Sequence, residues 1–285
     1  MSAVTDAHHH VWDLSVRDQD WITGPDMAPI RRDFALADLE PEARAHGVTR
    51  TVLVQTVPVA AETPEFLSLA AAGDLVAGVV GWTDLTSPAV ADELARLREL
   101  PGGEHLVGIR HGVQAEPDPR WLERPDVLRG LRAVEAAGLA YDVLVRAHQL
   151  PAAAVAAREV PGLTFVLDHL GKPPIADAEL QPWADDLRTF ASQPNTVAKL
   201  SGLVTEADWR RWSVKDLRPY ADTALEAFGA DRLMFGSDWP VCRLAASYGE
   251  VVEAAQALTA GLSPAGRDAF WSGTAGRAYG LDRAV

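Results

Sequence analysis

Ala3-Val4-Thr5-Asp6-Ala7-His8 is a short run with β-branched residues, and its end reads Asp6-Ala7-His8-His9-His10, three imidazoles in a row. Read as a strand, it sends successive side chains to opposite faces, so His8 and His10 share one side and His9 takes the other. Seven further runs of similar length follow: Thr49–Gln55, Val76–Trp82, Leu106–His111, Ala140–Val145, Thr164–His169, Thr196–Ser201 and Arg232–Asp238. Between them lie stretches rich in Ala, Leu, Glu and Arg. In Pro125–Gly138, Val127, Leu128, Leu131 and Val134 recur at helical spacing, and Gly138 is placed to stop the helix. Val251, Val252, Ala255 and Leu258 do the same in Tyr248–Gly261. Strand, turn and helix in alternation read as β/α units around a parallel sheet. Such a sheet can lie open or close. Polar groups end the first, sixth and eighth strands, and a barrel brings groups so far apart in sequence to one mouth. The expected fold is therefore one α/β domain over residues 1–285, a single (β/α)8 TIM barrel. Trp12–Asp33, rich in Trp, Asp, Pro and Gly, reads as a long loop over the first strand.

A length of 285 residues suits that fold, for which about 250 is typical. No stretch of 18 or more uncharged apolar residues occurs, so no membrane-spanning helix is expected. Met1-Ser2-Ala3-Val4-Thr5-Asp6 lacks the basic and apolar regions of a signal peptide. A net charge of -14 disfavours nucleic acid and anionic membrane as partners, since both attract basic surfaces. The single Cys242 excludes an internal disulfide and fits a reducing cytoplasm. The expected partner is a small molecule, and the chain is open to homo-oligomer formation.

The chemistry is sought at the C-terminal ends of the strands. His8 and His10 at a barrel mouth can bind one divalent ion or together polarise one carbonyl. Tag-like or merely solvated histidines are the bland alternative. Leu167-Asp168-His169-Leu170-Gly171-Lys172-Pro173 supplies a third imidazole, His169, with Asp168 expected to face away or to support it from behind. Leu233-Met234-Phe235-Gly236-Ser237-Asp238-Trp239-Pro240 ends in an acid that has no helix to cap at once, because Pro240 breaks the pattern. Ionised at neutral pH, Asp238 can take a proton from water.

On the fourth strand, Arg110 offers a planar fork for a carboxylate or paired hydroxyls, with His111 beside it. Its ordinary alternative is a salt bridge. Tyr141 and Asp142 are neighbours on the fifth strand, and only one of them can face the mouth. Trp82, Lys199 and Trp239 are further lining candidates. Cys242 reads as buried packing, and Gly236-Ser237-Asp238 does not form a G-x-S-x-G nucleophile elbow.

Asp6-Ala7-His8-His9-His10-Val11-Trp12 resembles the H-x-H motif on the first strand of the amidohydrolase superfamily. Asp168–Pro173 and Phe235–Pro240 are similar to two further signatures of its Amidohydrolase-2 branch of sugar-lactone hydrolases. Trp82 with Asp84, Gly108–His111, Tyr141–Leu144 and Lys199–Leu203 fall where that branch carries its strand ends. Leu200–Trp209, Trp239–Cys242 and Leu244–Tyr248 resemble L-fucono-1,5-lactonases in particular. The resemblance spans essentially the whole chain.

What it implies is a hydrolase that opens a sugar-acid lactone, L-fuconolactone or a related aldonolactone, in carbohydrate metabolism. Asp238 would activate water while His8, His10 and His169 stabilise the oxyanion, directly or through one ion. Arg110, His111, Tyr141, Trp82, Trp239 and Lys199 would line the substrate. Binuclear amidohydrolases bridge two metals with a lysine on the fourth strand, where this chain has Arg110-His111. The expectation is at most one divalent ion, Zn2+ foremost, held by His8, His10, His169 and Asp238, or none at all. A metal-dependent decarboxylase of an unsaturated or aromatic acid is the alternative on the same barrel.

Overall fold

In the computed structural model, which describes residues 4–281, eight strands follow one another around a single sheet. They are β1 (Val4–His9), β2 (Val48–Val54), β3 (Val76–Gly81), β4 (Leu106–His111), β5 (Ala140–Val143), β6 (Phe165–Leu167), β7 (Thr196–Leu200) and β8 (Leu233–Phe235). Ala3, the expected first residue of the first strand, lies outside the described residues. All seven neighbouring pairs run parallel. The sheet closes where the chain leaves β8. There Asp238 N–H donates to the His8 carbonyl at 2.8 Å and His10 N–H to the Trp239 carbonyl at 2.7 Å. The motifs expected to carry the chemistry are thus also the seam of the barrel.

Parallel neighbours need a crossover after every strand, and helices supply them. They span Leu36–Ala45, Glu62–Ala71, Val90–Glu99, Pro125–Ala136, Leu150–Glu159, Trp183–Ala191, Val214–Phe228 and Tyr248–Leu258. Pro125 starts its helix where a missing N–H costs nothing, and Gly138, at φ +66°, turns the chain just past its end. Ser247 and Glu250 cap Tyr248–Leu258 reciprocally: Ser247 Oγ accepts Glu250 N–H at 3.3 Å, and Glu250 Oε2 accepts Ser247 N–H at 2.7 Å. The Trp12–Asp33 segment is largely coil around one short turn, Pro25–Ile30. Trp12 and Phe34 exchange backbone hydrogen bonds across its two ends, at 3.0 and 2.9 Å.

Alternation along the strands divides the side chains into two layers. Ile109, Tyr141 and Phe165 are partners in register and face the helices. Val52, Val54, Val80, Ala140, Val166 and Met234 face the axis, packed against Ala275 and Tyr279 of the closing helix Thr274–Tyr279. Higher on the same inner face stand Arg110, Asp142 and Lys199, all buried. The interior therefore runs from an apolar base to an ionic ceiling beneath the mouth. No helix among the described residues is long and apolar enough to cross a membrane.

Three local departures from regular strands shape that ceiling. β1 carries an extra residue, since Asp6 pairs with Thr51 but His9 pairs with Leu53, and Ala7 and His8 both face inward as a result. The sixth strand ends at Leu167 rather than His169, because His169 and Leu170 turn left-handed at φ +52° and +51°. The eighth ends at Phe235, with Asp238 left-handed at φ +56°. Tyr141 is a correction: β5 turns it outward into the helix layer, fully buried, and Asp142 is the inward member of the pair.

Candidate active site and metal centre

His8, His10, His169 and Asp238 meet at the top of the barrel. Asp238 Oδ1 lies 3.7 Å from His8 Nε2, 3.6 Å from His10 Nε2 and 3.8 Å from His169 Nε2. The two β1 imidazoles face each other, Nε2 to Nε2, at 3.1 Å. His9 points the other way and bonds Thr51 Oγ1 at 2.9 Å, as strand alternation requires.

Each ring is held from behind. His10 Nδ1 is 2.8 Å from the Val54 carbonyl, which can only accept, so the proton sits on Nδ1 and Nε2 keeps a lone pair. His169 Nδ1 is 2.9 Å from Ser201 Oγ. The left-handed turn at His169 lets two consecutive residues reach one centre. Asp168 approaches His8 Nδ1 from below at 3.3 Å, while His169 stacks edge-on to the His8 ring with centroids 4.6 Å apart. The left-handed Asp238 is a strained conformation within the candidate site, eased because Asp tolerates this region better than most residues.

Burial sets the charge states. It holds His169 neutral down to about 4 and pushes His8 and His10 below the usual imidazole range. Burial also raises Asp238, but His169 and His10 beside it outweigh that, and its carboxyl ionises below the usual carboxylate range. At neutral pH the cluster is three neutral imidazoles around a carboxylate, all in the state that binds a metal.

His8, His10 and Asp238 fit one ion. Ligands about 2.1 Å from a tetrahedral ion stand about 3.4 Å apart, and the three separations among them, 3.1, 3.6 and 3.7 Å, bracket that value, while His169 adds a nitrogen 3.8 Å from Asp238 Oδ1. His8, His10 and Asp238 form one candidate ligand group, and His8, Asp168 and His169 a second that overlaps it. The second is already spoken for: Asp168 Oδ2 pairs with Arg110 Nη1 at 3.0 Å and Oδ1 with Lys199 Nζ at 2.9 Å.

The family model for amidohydrolases matches residues 5–281, nearly the full chain. The chain belongs to the amidohydrolase family. It is 41% identical to an L-fucono-1,5-lactonase of Burkholderia multivorans, over 97% of this chain and 95% of that protein. An L-fucono-1,5-lactonase of Burkholderia ambifaria is 38% identical over 98% and 96%. The crystal structure of a Burkholderia multivorans amidohydrolase with bound zinc superposes with a TM-score of 0.92 at 41% identity, covering 98% of this chain and 100% of that one. A 2,6-dihydroxybenzoate decarboxylase from Rhizobium, 18% identical with a TM-score of 0.66 over 99% of this chain, shares the fold alone.

In this amidohydrolase the expected lining residues divide by where their polar atoms go. Trp82 and His111 stand half-buried at the rim. Trp82 Nε1–H donates to His111 Nδ1 at 3.1 Å, His111 Nε2 meets Glu116 Oε1 at 2.7 Å, and the His111 ring stacks on Trp121 with centroids 4.4 Å apart. Both ring nitrogens of His111 are therefore engaged, and the pair presents aromatic surface rather than free donors.

Of the other four, Lys199, Trp239 and Tyr141 are corrections. Arg110 is buried, with Nε on Gln55 Oε1 at 2.8 Å, Nη2 on the Gln55 carbonyl and Nη1 on Asp168, so its fork clamps the protein itself. Lys199 lies beneath the histidines with no exposed surface. Trp239 is buried edge-on against Phe34, and Tyr141 packs edge-on against Phe165. Lys199, Trp239 and Tyr141 do not reach the mouth, whereas Arg110 Nη1 comes within 3.4 Å of His8 Nε2.

Other contributors lacked a sequence signal. Gly202 follows β7 at φ +62°, and a Cβ there would come within 2.7 Å of His169 Nδ1 and 3.1 Å of Asp238 Oδ2. Only glycine leaves room for both groups. Ser201, Gln55 and Asp6 also act through partners that only the fold brings near. Cys242 is fully buried, as packing requires.

Proposed function

We propose that this amidohydrolase is a lactonase that opens a sugar-acid lactone, L-fucono-1,5-lactone or a related aldonolactone, to the free acid. The observation that carries the mechanism is the placement of Asp238 Oδ1 between 3.6 and 3.8 Å from three imidazole nitrogens. The lactone-hydrolysing relatives above supply the substrate class.

Asp238 accepts a proton from water as the water oxygen attacks the lactone carbonyl carbon. The carbonyl π pair moves onto oxygen, and His8 and His169 stand beside the charge that develops there, while His10, whose Nε2 is a lone pair, would stabilise it only through a bound ion. As the tetrahedral centre collapses, the C–O bond to the ring oxygen breaks, and protonated Asp238 returns its proton to that oxygen. The product is a hydroxy acid, which releases one proton to solvent at neutral pH. His8, His10, His169 and Asp238 would hold a divalent ion, Zn2+ foremost, and such an ion supplies Lewis acidity for the carbonyl and acidity for the water. Trp82 and His111 offer aromatic faces to the apolar side of a sugar ring.

The test is proton release from a panel of L-fucono-, L-rhamnono-, D-arabinono- and L-galactonolactones, on protein stripped by a chelator and on the same protein reloaded with Zn2+. Rapid hydrolysis in either state supports the reading. Failure to hydrolyse any of them in both states overturns it.

A further inference from the structure

Trp82 and His111 stand at the ends of the neighbouring strands β3 and β4, at the rim of the mouth. The buried Thr63 hydroxyl accepts the Trp82 amide N–H at 2.8 Å and donates to the Trp82 carbonyl at 3.1 Å, which fixes the residue just past β3. An indole N–H can only donate and a carboxylate can only accept. His111 therefore accepts the Trp82 indole N–H at Nδ1, 3.1 Å away, and donates from Nε2 to Glu116 Oε1 at 2.7 Å. Buried Trp121 lies against one face of the imidazole, 4.4 Å away and tilted by 10°, so a ligand can meet only the other.

This chain of donors ends on Glu116. His111 occupies one of its oxygens. The other has no hydrogen-bond partner among the described residues, on a side chain that is 27% exposed. The cations nearby are engaged elsewhere. Arg120 and Arg124, the two arginines of the same loop, pair with Glu123 at 2.6 Å and Asp126 at 2.7 Å. Arg146, from the loop after β5, turns its Nε to the Gln114 carbonyl at 3.4 Å.

The rim thus sets an aromatic face beside a carboxylate with one oxygen to spare. A neutral sugar lactone matches both features, with C–H groups on the face of its ring and hydroxyls at its edge. A carboxylate carried on the same ring would meet a like charge with no cation placed to offset it.

We propose that Glu116 is a specificity-determining residue: its free oxygen accepts a hydroxyl of a neutral lactone seated on the Trp82–His111 face, and its charge turns away lactones that carry a carboxylate. The inference takes its substrate class from the lactonase reading and rests on it.

The test separates binding from reaction by using lactams, in which a ring N–H replaces the ring oxygen and hydrolysis is suppressed. Binding of L-fucono-1,5-lactam, and of the same lactam with a carboxylate in place of its methyl group, is measured by calorimetry on wild type and Glu116→Gln. Glutamine keeps an oxygen for His111 Nε2–H and removes only the charge, so a role confined to holding His111 would leave the preference between the two ligands unmoved. Wild type should prefer the neutral lactam. The variant should narrow that preference by about 10- to 100-fold, through loss of a charge-assisted hydrogen bond and of like-charge repulsion. A wild type that does not prefer the neutral lactam, or a preference that Glu116→Gln does not narrow, overturns the proposal. Lactone hydrolysis on the same samples tells the two readings apart. Lactones that stay intact beside a Glu116-dependent preference for the neutral lactam sink the lactonase reading alone. Hydrolysis with an unchanged preference sinks the role of Glu116 alone.

Discussion

The Asp6 carboxylate accepts the Ser237 amide N–H at 2.8 Å, a bond that crosses the seam between β1 and the end of β8. The same oxygen accepts the His8 amide at 3.1 Å, and the other takes the Tyr248 hydroxyl at 3.1 Å. One buried side chain thus sets the spacing between the backbone of His8 and the residue before Asp238. Asp6→Ala leaves three buried donors without a partner and should cost roughly 3 kcal/mol or more, at 1–3 kcal/mol for each. Asp6→Asn keeps an acceptor for both amides and should lose much less. Urea unfolding of the two variants decides it, and equal losses would show that the amides are not held through Asp6.

Gly202 gives a second prediction. Its left-handed φ of +62° and the 2.7 Å approach of a would-be Cβ to His169 Nδ1 act together. Gly202→Ala must displace His169 or Asp238, and kcat/KM should fall by about 100-fold, the cost expected when a reacting group is misplaced by about 1 Å. Gly138→Ala is the control: φ is +66°, but a Cβ would meet nothing within 4 Å. That variant should lose about 1 kcal/mol of stability and keep its activity. If Gly202→Ala matched it in activity, the crowding argument would fail.

These cases show what was legible in the sequence and what was not. His8 and His10 could be paired because alternation holds from His8 to His10, past the extra residue of β1. Asp168 and His169 could not, because the strand stops at Leu167 and a left-handed turn sends both side chains to His8. Tyr141 and Asp142 differ only in the parity of β5, which a run of four residues, Ala140–Val143, is too short to reveal. Lys199 and Arg110 look like substrate ligands by residue type. Their protein partners, Asp142, Asp168 and Gln55, lie on or just past other strands and become visible only when the barrel closes.

The outward placement of Tyr141 predicts a silent substitution. Its hydroxyl is buried with no hydrogen-bond partner, among helix-facing side chains. Tyr141→Phe removes an unsatisfied polar atom and leaves the ring against Phe165. Thermal stability should hold or rise, by up to about 1 kcal/mol, and KM for the lactone should not move. A clear rise in KM would return Tyr141 to the substrate.

Glu62 carries a pH dependence away from the candidate metal centre. It is buried at the start of its helix, where Oε2 accepts the amides of Thr56 at 2.8 Å and Val57 at 3.4 Å, just beyond Gln55. Burial raises its pKa above the usual carboxylate value. The folded state therefore keeps the proton to higher pH than the unfolded chain, so this group's stabilisation is present at low pH and lost as pH rises through its folded value. Glu62→Gln should gain in melting temperature relative to wild type as pH is raised from about 4 to 7, beginning at the ordinary carboxylate pKa. A difference that stays constant across that interval would show that the carboxyl titrates alike in both states.

Asp238 is the proton acceptor of the proposed reaction, and its backbone dictates the substitution that tests it. At φ +56°, alanine would add strain to the chemical loss, whereas asparagine tolerates the left-handed region and keeps the side-chain shape. Asp238→Asn removes the proton acceptor while retaining an oxygen near His8, His10 and His169. Loss of a general base lowers turnover by about 100- to 10,000-fold, and kcat should fall within that range with the melting temperature little changed. Removing an oxyanion partner by His169→Asn should cost about 100- to 1,000-fold. Zinc content measured on the same samples separates loss of the base from loss of a ligand. A stripped Asp238→Asn protein that is as impaired as the reloaded one assigns the defect to proton transfer. An Asp238→Asn protein that retained most of its lactonase activity would remove Asp238 from the mechanism.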